Sequence, residues 1–178
     1  MHISKALVEI NKLIAESELE YHYNRKAQLH TLHIYGALSA IPSLKNSKLP
    51  NKNFINPKVR NRLIGLTKLF NATVTAPVTF KPKQLVFCLV MLGKKCRVRD
   101  TDNALASIKD WLEPPTKRNR NKSRGWGIGL VNDDAYVHGI CLRQKDFGYN
   151  DSVTSIYLLP FEDLLLPLEN LIGEITQR

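Results

Sequence analysis

The predicted architecture starts from an unbroken apolar run, Leu85-Val86-Phe87-Cys88-Leu89-Val90-Met91-Leu92. A run of this length between a polar residue and Gly93 is typical of a strand rather than of a globular helix. Because no polar residues alternate with the apolar ones, we expect both faces of the strand to be buried. The run therefore predicts a central strand in a sheet that is covered by helices.

Helical spacing of apolar residues recurs on both sides of this strand. The spacing over residues 101–113 ends at a Pro-Pro pair, which disfavours further helix. An earlier helix has Asn56 as its cap and Pro57 at its first position, where a missing N–H loses nothing. Residues 2–16 are amphipathic. We expect these three helices and a C-terminal helical segment over residues 161–175.

The remaining segments complete an α+β pattern. Residues 135–142 and 152–159 are predicted to form two further strands, joined through a polar turn. The type of residues 17–40 is left open, because they fit a second helix or, near their end, a strand. The sequence thus predicts an α+β fold with a mixed β-sheet packed with helices.

Charge and composition narrow the function. Lys and Arg number 26 against 16 Asp and Glu, which gives a formal net charge of +10. An excess of cations favours polyanionic partners, because contact with nucleic acid releases counterions. No apolar run approaches the roughly 18 residues of a membrane-spanning helix, and no secretory signal is visible. We expect a nucleic-acid partner, no membrane, and a cytoplasmic, nucleoid-associated protein.

Carboxylates stand at two places in the chain that could meet. Asp100 and Asp102 lie at the start of the helix over residues 101–113, and Asp133 and Asp134 precede a strand. One acid suffices as a helix cap, whereas a second adds repulsion unless a cation lies between them. Mg²⁺ prefers such oxygen ligands. We expect Asp100, Asp102 and Asp134 to share one divalent ion. The alternative is a helix cap with a nearby arginine as its counter-charge, together with a solvated turn.

Positive charge flanks both pairs of acids. Basic walls bind a phosphate backbone while a metal ion polarises the phosphoryl group, a combination that suits phosphodiester cleavage. Residues 116–124 contain no apolar side chain and are predicted to form a surface loop, for which a solvated charged loop without a ligand is the alternative. The expected DNA-binding residues are Lys94, Lys95, Arg97, Arg99, Lys117, Arg118, Arg120, Lys122 and Arg124.

At these residues the sequence resembles the RusA family of Holliday-junction resolvases. The family's mark is a basic run leading into Asp-x-Asp-Asn at the head of a helix, with a later Asp-Asp before a strand. Here the matching stretches are Arg97–Asn103 and Asp133–Val137, and the resemblance covers about residues 75–160. It implies a RusA-like endonuclease domain over residues 31–178, preceded by a helical extension over residues 1–30, that acts as a homodimer on a four-way DNA junction.

The resemblance also implies the chemistry. Asp100, Asp102 and Asp134 correspond to catalytic acids that hold Mg²⁺, for which Mn²⁺ can substitute, in an endonuclease of DNA recombination and repair. The chain departs from the family at Ala106, where the family has a catalytic lysine. Lys109 lies on the same helix face and is our hypothetical replacement. Because the lysine is missing, the alternative is a structure-selective nucleic-acid-binding protein without catalysis. A flap or general nuclease would differ only in substrate.

Five other residues carry expectations of their own. Cys88 and Cys141 are expected to be small core hydrophobes. His30 and His33 show no metal-ligand spacing and are expected at the surface or in an interface. Trp126 stands between two glycines, so it either stacks on a base at a junction or anchors its loop to the core.

Overall fold

The computed structural model describes residues 2–42, 44, 55–93, 101–115, 125–143, 153–161 and 172–173. For residues 2–4 it describes the backbone only. Within these residues three helices pack on one mixed sheet of five strands, which confirms the α+β class. Short 3₁₀ turns lie at Ala37–Ser39 and Asp134–Tyr136. The main elements are α1 (His2–Ala15), β1 (Ser17–Asn24), β2 (Leu29–Gly36), α2 (Pro57–Thr73), β3 (Val86–Leu92), α3 (Thr101–Leu112), β4 (Val137–Arg143) and β5 (Val153–Pro160).

The apolar run forms β3, and its predicted position within the sheet is confirmed. The strand order is β1-β2-β5-β3-β4, so β3 pairs on both sides. It is antiparallel to β5, with Cys88 opposite Leu158, and parallel to β4, with Leu89 opposite Ile140. Parallel neighbours require a crossover, which α3 provides here as it packs on β4. Helix α3 therefore starts at one end of the sheet and finishes at the other.

The N-terminal part of the sheet differs from the expected helical extension. Residues 17–36 form an antiparallel hairpin of β1 and β2, with Tyr21 opposite Leu32. Only α1 is helical before it, so the expected boundary between residues 30 and 31 falls inside β2. The physical reason is the alternation of β1, in which Leu19 is buried while Glu18 and Glu20 are exposed. An alternation with a period of two is typical of a strand with one buried face, and β1 accordingly pairs with β2 in the sheet.

One core lies between the helices and the sheet. The predicted start of α2 is confirmed, because the Asn56 side chain accepts the Lys58 N–H at 3.0 Å and Pro57 opens the helix. Trp111 of α3 packs edge-on against Phe70 of α2, with ring centroids 6.2 Å apart. A smaller apolar cluster covers the opposite sheet face. Its buried members are Ala27, Leu29, Leu89, Met91, Tyr157 and Leu159.

The expectation that His30 and His33 lie at the surface or in an interface is wrong. They are only 1% and 4% exposed, because both lie on β2 inside the sheet. The His30 ring contacts aromatic rings, and its Nδ1 lies 3.0 Å from the Tyr21 hydroxyl oxygen. Burial lowers the pKa of His30 to about 4 and raises that of Tyr21 to about 12.

Other expectations have mixed outcomes. Cys88 is fully buried, as expected of a small core hydrophobe. Strands β4 and β5 both form, but β3 lies between them, and the expected turn falls outside the described residues. Most of the C-terminal segment also lies outside them. None of the helices in the described part of the chain is long and apolar enough to cross a membrane.

Candidate metal centre

The last turn of α3 is capped by residues 126–134, a segment in which the chain returns to the end of this helix and which is called the returning segment below. The final carbonyls of a helix have no partner within it and need donors from elsewhere. Three backbone N–H groups just before the Asp-Asp pair supply these donors. The Ile128 N–H donates to the Trp111 carbonyl at 2.9 Å, the Gly129 N–H to the Glu113 carbonyl at 3.1 Å, and the Val131 N–H to the Leu112 carbonyl at 3.2 Å.

Trp126 and Gly127 fix the start of this segment. Trp126 is 3% exposed and belongs to the main core, so the structure supports its role as an anchor. Gly127 has a φ of 125°, and a Cβ built on it would lie 2.5 Å from the Glu113 carbonyl oxygen. Because a side chain fits neither this φ nor this space, only glycine allows the chain to pass so close to Glu113.

The returning segment brings three carboxylates together. Glu113, Asp133 and Asp134 each offer an oxygen within 4.8 Å of the others. The Asp134 N–H donates to Glu113 Oε1 at 3.1 Å, and Asp133 caps the following 3₁₀ turn by accepting the Ala135 N–H at 3.0 Å. These bonds hold the backbone at the cluster, which could bind a divalent metal ion.

Burial within the cluster is uneven. Glu113 is 6% exposed, whereas Asp133 and Asp134 remain in contact with solvent. Like charges at this separation repel one another, and the repulsion is strongest where water is excluded. A cation between the carboxylates would relieve it, and three oxygens suit Mg²⁺, which keeps several waters in its shell. The donor set therefore fits a hard divalent cation that remains open to a ligand on one side.

The structure does not bring Asp102 to this cluster. Asp102 is exposed in the first turn of α3, and Glu113 follows the last turn. Eleven residues of helix at 1.5 Å each separate the two by about 16 Å along the axis. Asp134, bonded to Glu113, thus lies at the opposite end of α3 from Asp102. Asp100 lies outside the described residues, so the expected site of three aspartates does not form within the described chain, where Glu113 and Asp133 accompany Asp134 instead.

Lys109 lies closer to the new cluster than to Asp102. It is half-buried on α3, one helical turn before Glu113 and two turns after Asp102. Along the axis these separations are about 6 Å and about 10 Å. Ala106 is exposed on the same face. A lysine in the last turn also complements the helix dipole, which is a structural reason for its position.

The basic residues predicted to bind DNA all lie outside the described residues, but their points of attachment are known. Residues 116–124 leave the described chain at Pro115 and return at Gly125. Pro115 lies two residues after Glu113, and a Cβ on Gly127, two residues after Gly125, would lie 3.0 Å from the nitrogen of Pro115. The other segment, residues 94–100, joins Gly93 to the start of α3 at the opposite end of the sheet.

Sequence reasoning missed Glu113. It precedes the Pro-Pro pair, and the spacing there predicts only the end of a helix. One signal could have found it: counting 100° per residue, Glu113 shares a helix face with Asp102, Ala106 and Lys109. Its proximity to Asp134 depends on the returning segment, which the sequence pattern does not reveal.

Comparison of the chain with family models, with curated proteins and with solved structures found no match.

Proposed function

We propose that this chain is a Mg²⁺-dependent endonuclease that cleaves branched DNA, of the Holliday-junction-resolvase type, and that it acts as a cytoplasmic, nucleoid-associated homodimer. The observation that carries the proposal is the cluster of Glu113, Asp133 and Asp134, whose oxygens lie within 4.8 Å of one another. Carboxylates at this spacing, one of them buried, suit a divalent ion that acts on a phosphodiester.

The cluster supplies the parts that the reaction needs. Glu113, Asp133 and Asp134 would hold the ion, which when bound polarises the phosphoryl group and lowers the pKa of a water molecule. Mn²⁺ can replace Mg²⁺ in such an oxygen site. Lys109, one turn from Glu113 on the same helix face, would bind a phosphate oxygen and offset the charge that develops during cleavage. In this role Lys109 would substitute for the catalytic lysine that the RusA family has at the position of Ala106.

Positive charge supports a nucleic-acid substrate. The chain carries a formal net charge of +10, and residues 117–124 contribute five cations between Pro115, two residues after Glu113, and Gly125. Cations near an acidic centre raise the local concentration of phosphate backbone without blocking the ion. The proposed DNA-contacting residues remain those of the two basic segments.

The cluster also revises the expected catalytic acids. Glu113 and Asp133 take the places that the resemblance assigns to Asp100 and Asp102 beside Asp134. Asp102 lies at the far end of α3 from the cluster. In this proposal it is a first-turn acid that complements the helix dipole rather than a ligand of the same ion, and the basic residues before it in the sequence form a second contact region for the DNA backbone.

Cleavage assays with labelled four-way junction, flap and linear duplex, each with Mg²⁺, Mn²⁺ or EDTA, test the proposal. Asp134→Asn should lower junction cleavage by about 100-fold or more, because a metal ligand contributes several kcal/mol to the transition state. Junction binding, measured by mobility shift in EDTA, should persist. Asp110→Asn removes a carboxylate from the same helix outside the cluster and serves as the matched control.

The missing lysine at position 106 favours one other candidate, a structure-selective nucleic-acid-binding protein without catalysis. Junction binding by the wild-type chain with no cleavage in either metal would establish it and refute the nuclease. Cleavage of flaps or linear duplex in preference to junctions would retain the chemistry but reject the junction as substrate. If Asp102→Asn abolished cleavage and Asp134→Asn did not, the catalytic centre would lie at the other end of α3.

A further inference from the structure

One buried hydroxyl connects α2 to the two parts of the chain that form the carboxylate cluster. Thr67 lies in the middle of α2 and is 8% exposed. Its Oγ1 accepts hydrogen bonds from Trp111 Nε1 at 3.1 Å and from the Gly127 N–H at 3.0 Å, and it donates to the Leu63 carbonyl at 2.9 Å. A hydroxyl has one donor and two acceptor sites, so Thr67 uses all of them.

The two donors to Thr67 come from the two segments of the chain that carry the carboxylates of the cluster. Trp111 is on α3 two residues before Glu113. Gly127 opens the returning segment that ends at Asp133 and Asp134. The Thr67 hydroxyl therefore fixes α3 and the returning segment against a common point on α2.

A continuous series of hydrogen bonds leads from Thr67 to the carboxylates. It begins at the Gly127 N–H and continues through the three backbone bonds between the returning segment and the end of α3. It ends where the Asp134 N–H donates to Glu113 Oε1 at 3.1 Å. Metal affinity depends on the spacing of the carboxylate oxygens, so a shift at the start of the series should change that spacing at its end.

We infer that Thr67 is a positioning residue for the metal centre, whose hydroxyl holds Glu113 on α3 and the Asp133-Asp134 pair at metal-binding separation. The inference rests on the proposed function, since it concerns the same ion site. Thr67 touches neither the ion nor the substrate. It acts through Gly127 and Trp111.

The decisive substitution is Thr67→Val, which keeps the shape of the side chain but cannot accept a hydrogen bond. Two buried N–H donors then lose their acceptor. Thr67→Ser retains the hydroxyl and should restore the wild-type behaviour. Thr154→Val is the matched control, because Thr154 is also buried, accepts the Gly93 N–H at 3.1 Å and donates to the Ser39 carbonyl at 2.6 Å.

The readout is Mn²⁺ affinity of the full chain, measured by isothermal titration calorimetry beside urea unfolding of each variant. Loss of groups that orient metal ligands typically weakens affinity by about 10-fold to 100-fold. We expect the dissociation constant for Mn²⁺ to be about 10-fold higher in Thr67→Val, at the lower end of that range. Thr67→Ser and Thr154→Val should stay close to wild type, although Thr154→Val loses stability.

Hydrogen exchange followed by mass spectrometry gives a second, metal-independent measurement. In Thr67→Val the amides of residues 127–134 should exchange faster, whereas in Thr154→Val they should not. If Thr67→Val does not fold, Thr67→Ala replaces it, because water in the vacated space can accept from the two N–H donors. That water is not bonded to α2, so the same changes in Mn²⁺ affinity and exchange are expected.

The outcomes separate the inference from the proposed function. Wild-type Mn²⁺ binding that is lost in Asp134→Asn but equal in Thr67→Val and Thr154→Val would refute the role of Thr67 and leave the nuclease intact. Absence of Mn²⁺ binding by the wild-type chain would overturn both. Weakened binding in Thr67→Val with recovery in Thr67→Ser would support the inference even if no DNA substrate were cleaved.

Discussion

Replacing Glu113 by glutamine should raise the stability of the metal-free protein and reduce its response to Mg²⁺. The amide has the shape of the carboxylate, and its carbonyl oxygen can still accept the Asp134 N–H that now binds Oε1. Its NH₂ group can donate to a neighbouring carboxylate. The substitution therefore removes one negative charge from the cluster while preserving the backbone arrangement.

The magnitude follows from the separation of the carboxylates. At 4.8 Å, the upper limit of the separation between these oxygens, two unit charges repel by about 0.9 kcal/mol in water and about 3.5 kcal/mol at an effective dielectric constant of 20. Glu113 takes part in two such pairs, and the solvent contact of Asp133 and Asp134 favours the lower value. Removing its charge should thus stabilise the metal-free chain by about 2 kcal/mol, or about 4–8 °C in Tm for a protein of this size.

In Mg²⁺ the substitution should have the opposite effect, because the variant gains less stability from the metal than the wild-type chain does. At a Mg²⁺ concentration about 100 times the Kd, binding stabilises the wild-type protein by about 2.7 kcal/mol. Loss of a ligand weakens binding to the variant, so its Tm should rise less. The wild-type chain is therefore expected to unfold at the lower temperature in EDTA and to recover that difference in Mg²⁺.

Circular dichroism melts of wild type, Glu113→Gln and Glu18→Gln, each in EDTA and in Mg²⁺, provide the assay. Glu18 is exposed on β1, so Glu18→Gln controls for the loss of a negative charge far from the cluster. A lower Tm for Glu113→Gln in EDTA, together with the wild-type response to Mg²⁺, would show that the three carboxylates are not coupled through an ion site.

Three further predictions concern the fold. His30 has its pKa lowered to about 4 by burial, so the unfolded chain binds the extra proton first. Stability should fall by up to roughly 3 kcal/mol as the pH drops from 6.5 to 4, and urea unfolding of His30→Phe should show a flatter pH dependence. Gly127→Ala places a Cβ at 2.5 Å from a carbonyl oxygen at positive φ and should cost about 2–5 kcal/mol. Among the residues that the structure describes, nothing lies within 4 Å of a Cβ built on Gly173, so Gly173→Ala should be nearly neutral by the same urea titration. Asn56→Ala removes the cap of α2 and should cost about 1 kcal/mol, whereas Asn71→Ala, exposed in the same helix, should change the urea midpoint little.

The local sequence pattern was sufficient to predict the type and position of most helices and strands. Helices α2 and α3 formed where apolar spacing and flanking residues predicted them, and β3 formed from the apolar run. The hairpin of β1 and β2 was missed although its alternation was present, because the histidines and tyrosines of that stretch suit several structures. His33 shows the same limit: its buried ring lies with Nδ1 2.8 Å from the Ser155 hydroxyl oxygen, on a strand remote in sequence.

The candidate site shows a sharper division. The sequence alone identified Asp134 as a candidate metal ligand, and it determined the excess of positive charge. Which acids accompany Asp134 was decided by the crossover through α3, because a helix between parallel strands separates its two ends by its full length. That length places Asp102 far from Asp134, and the returning segment at the end of α3 brings Glu113 close. Identity and charge are properties of single residues, whereas proximity depends on hydrogen bonds between segments that are distant in the chain.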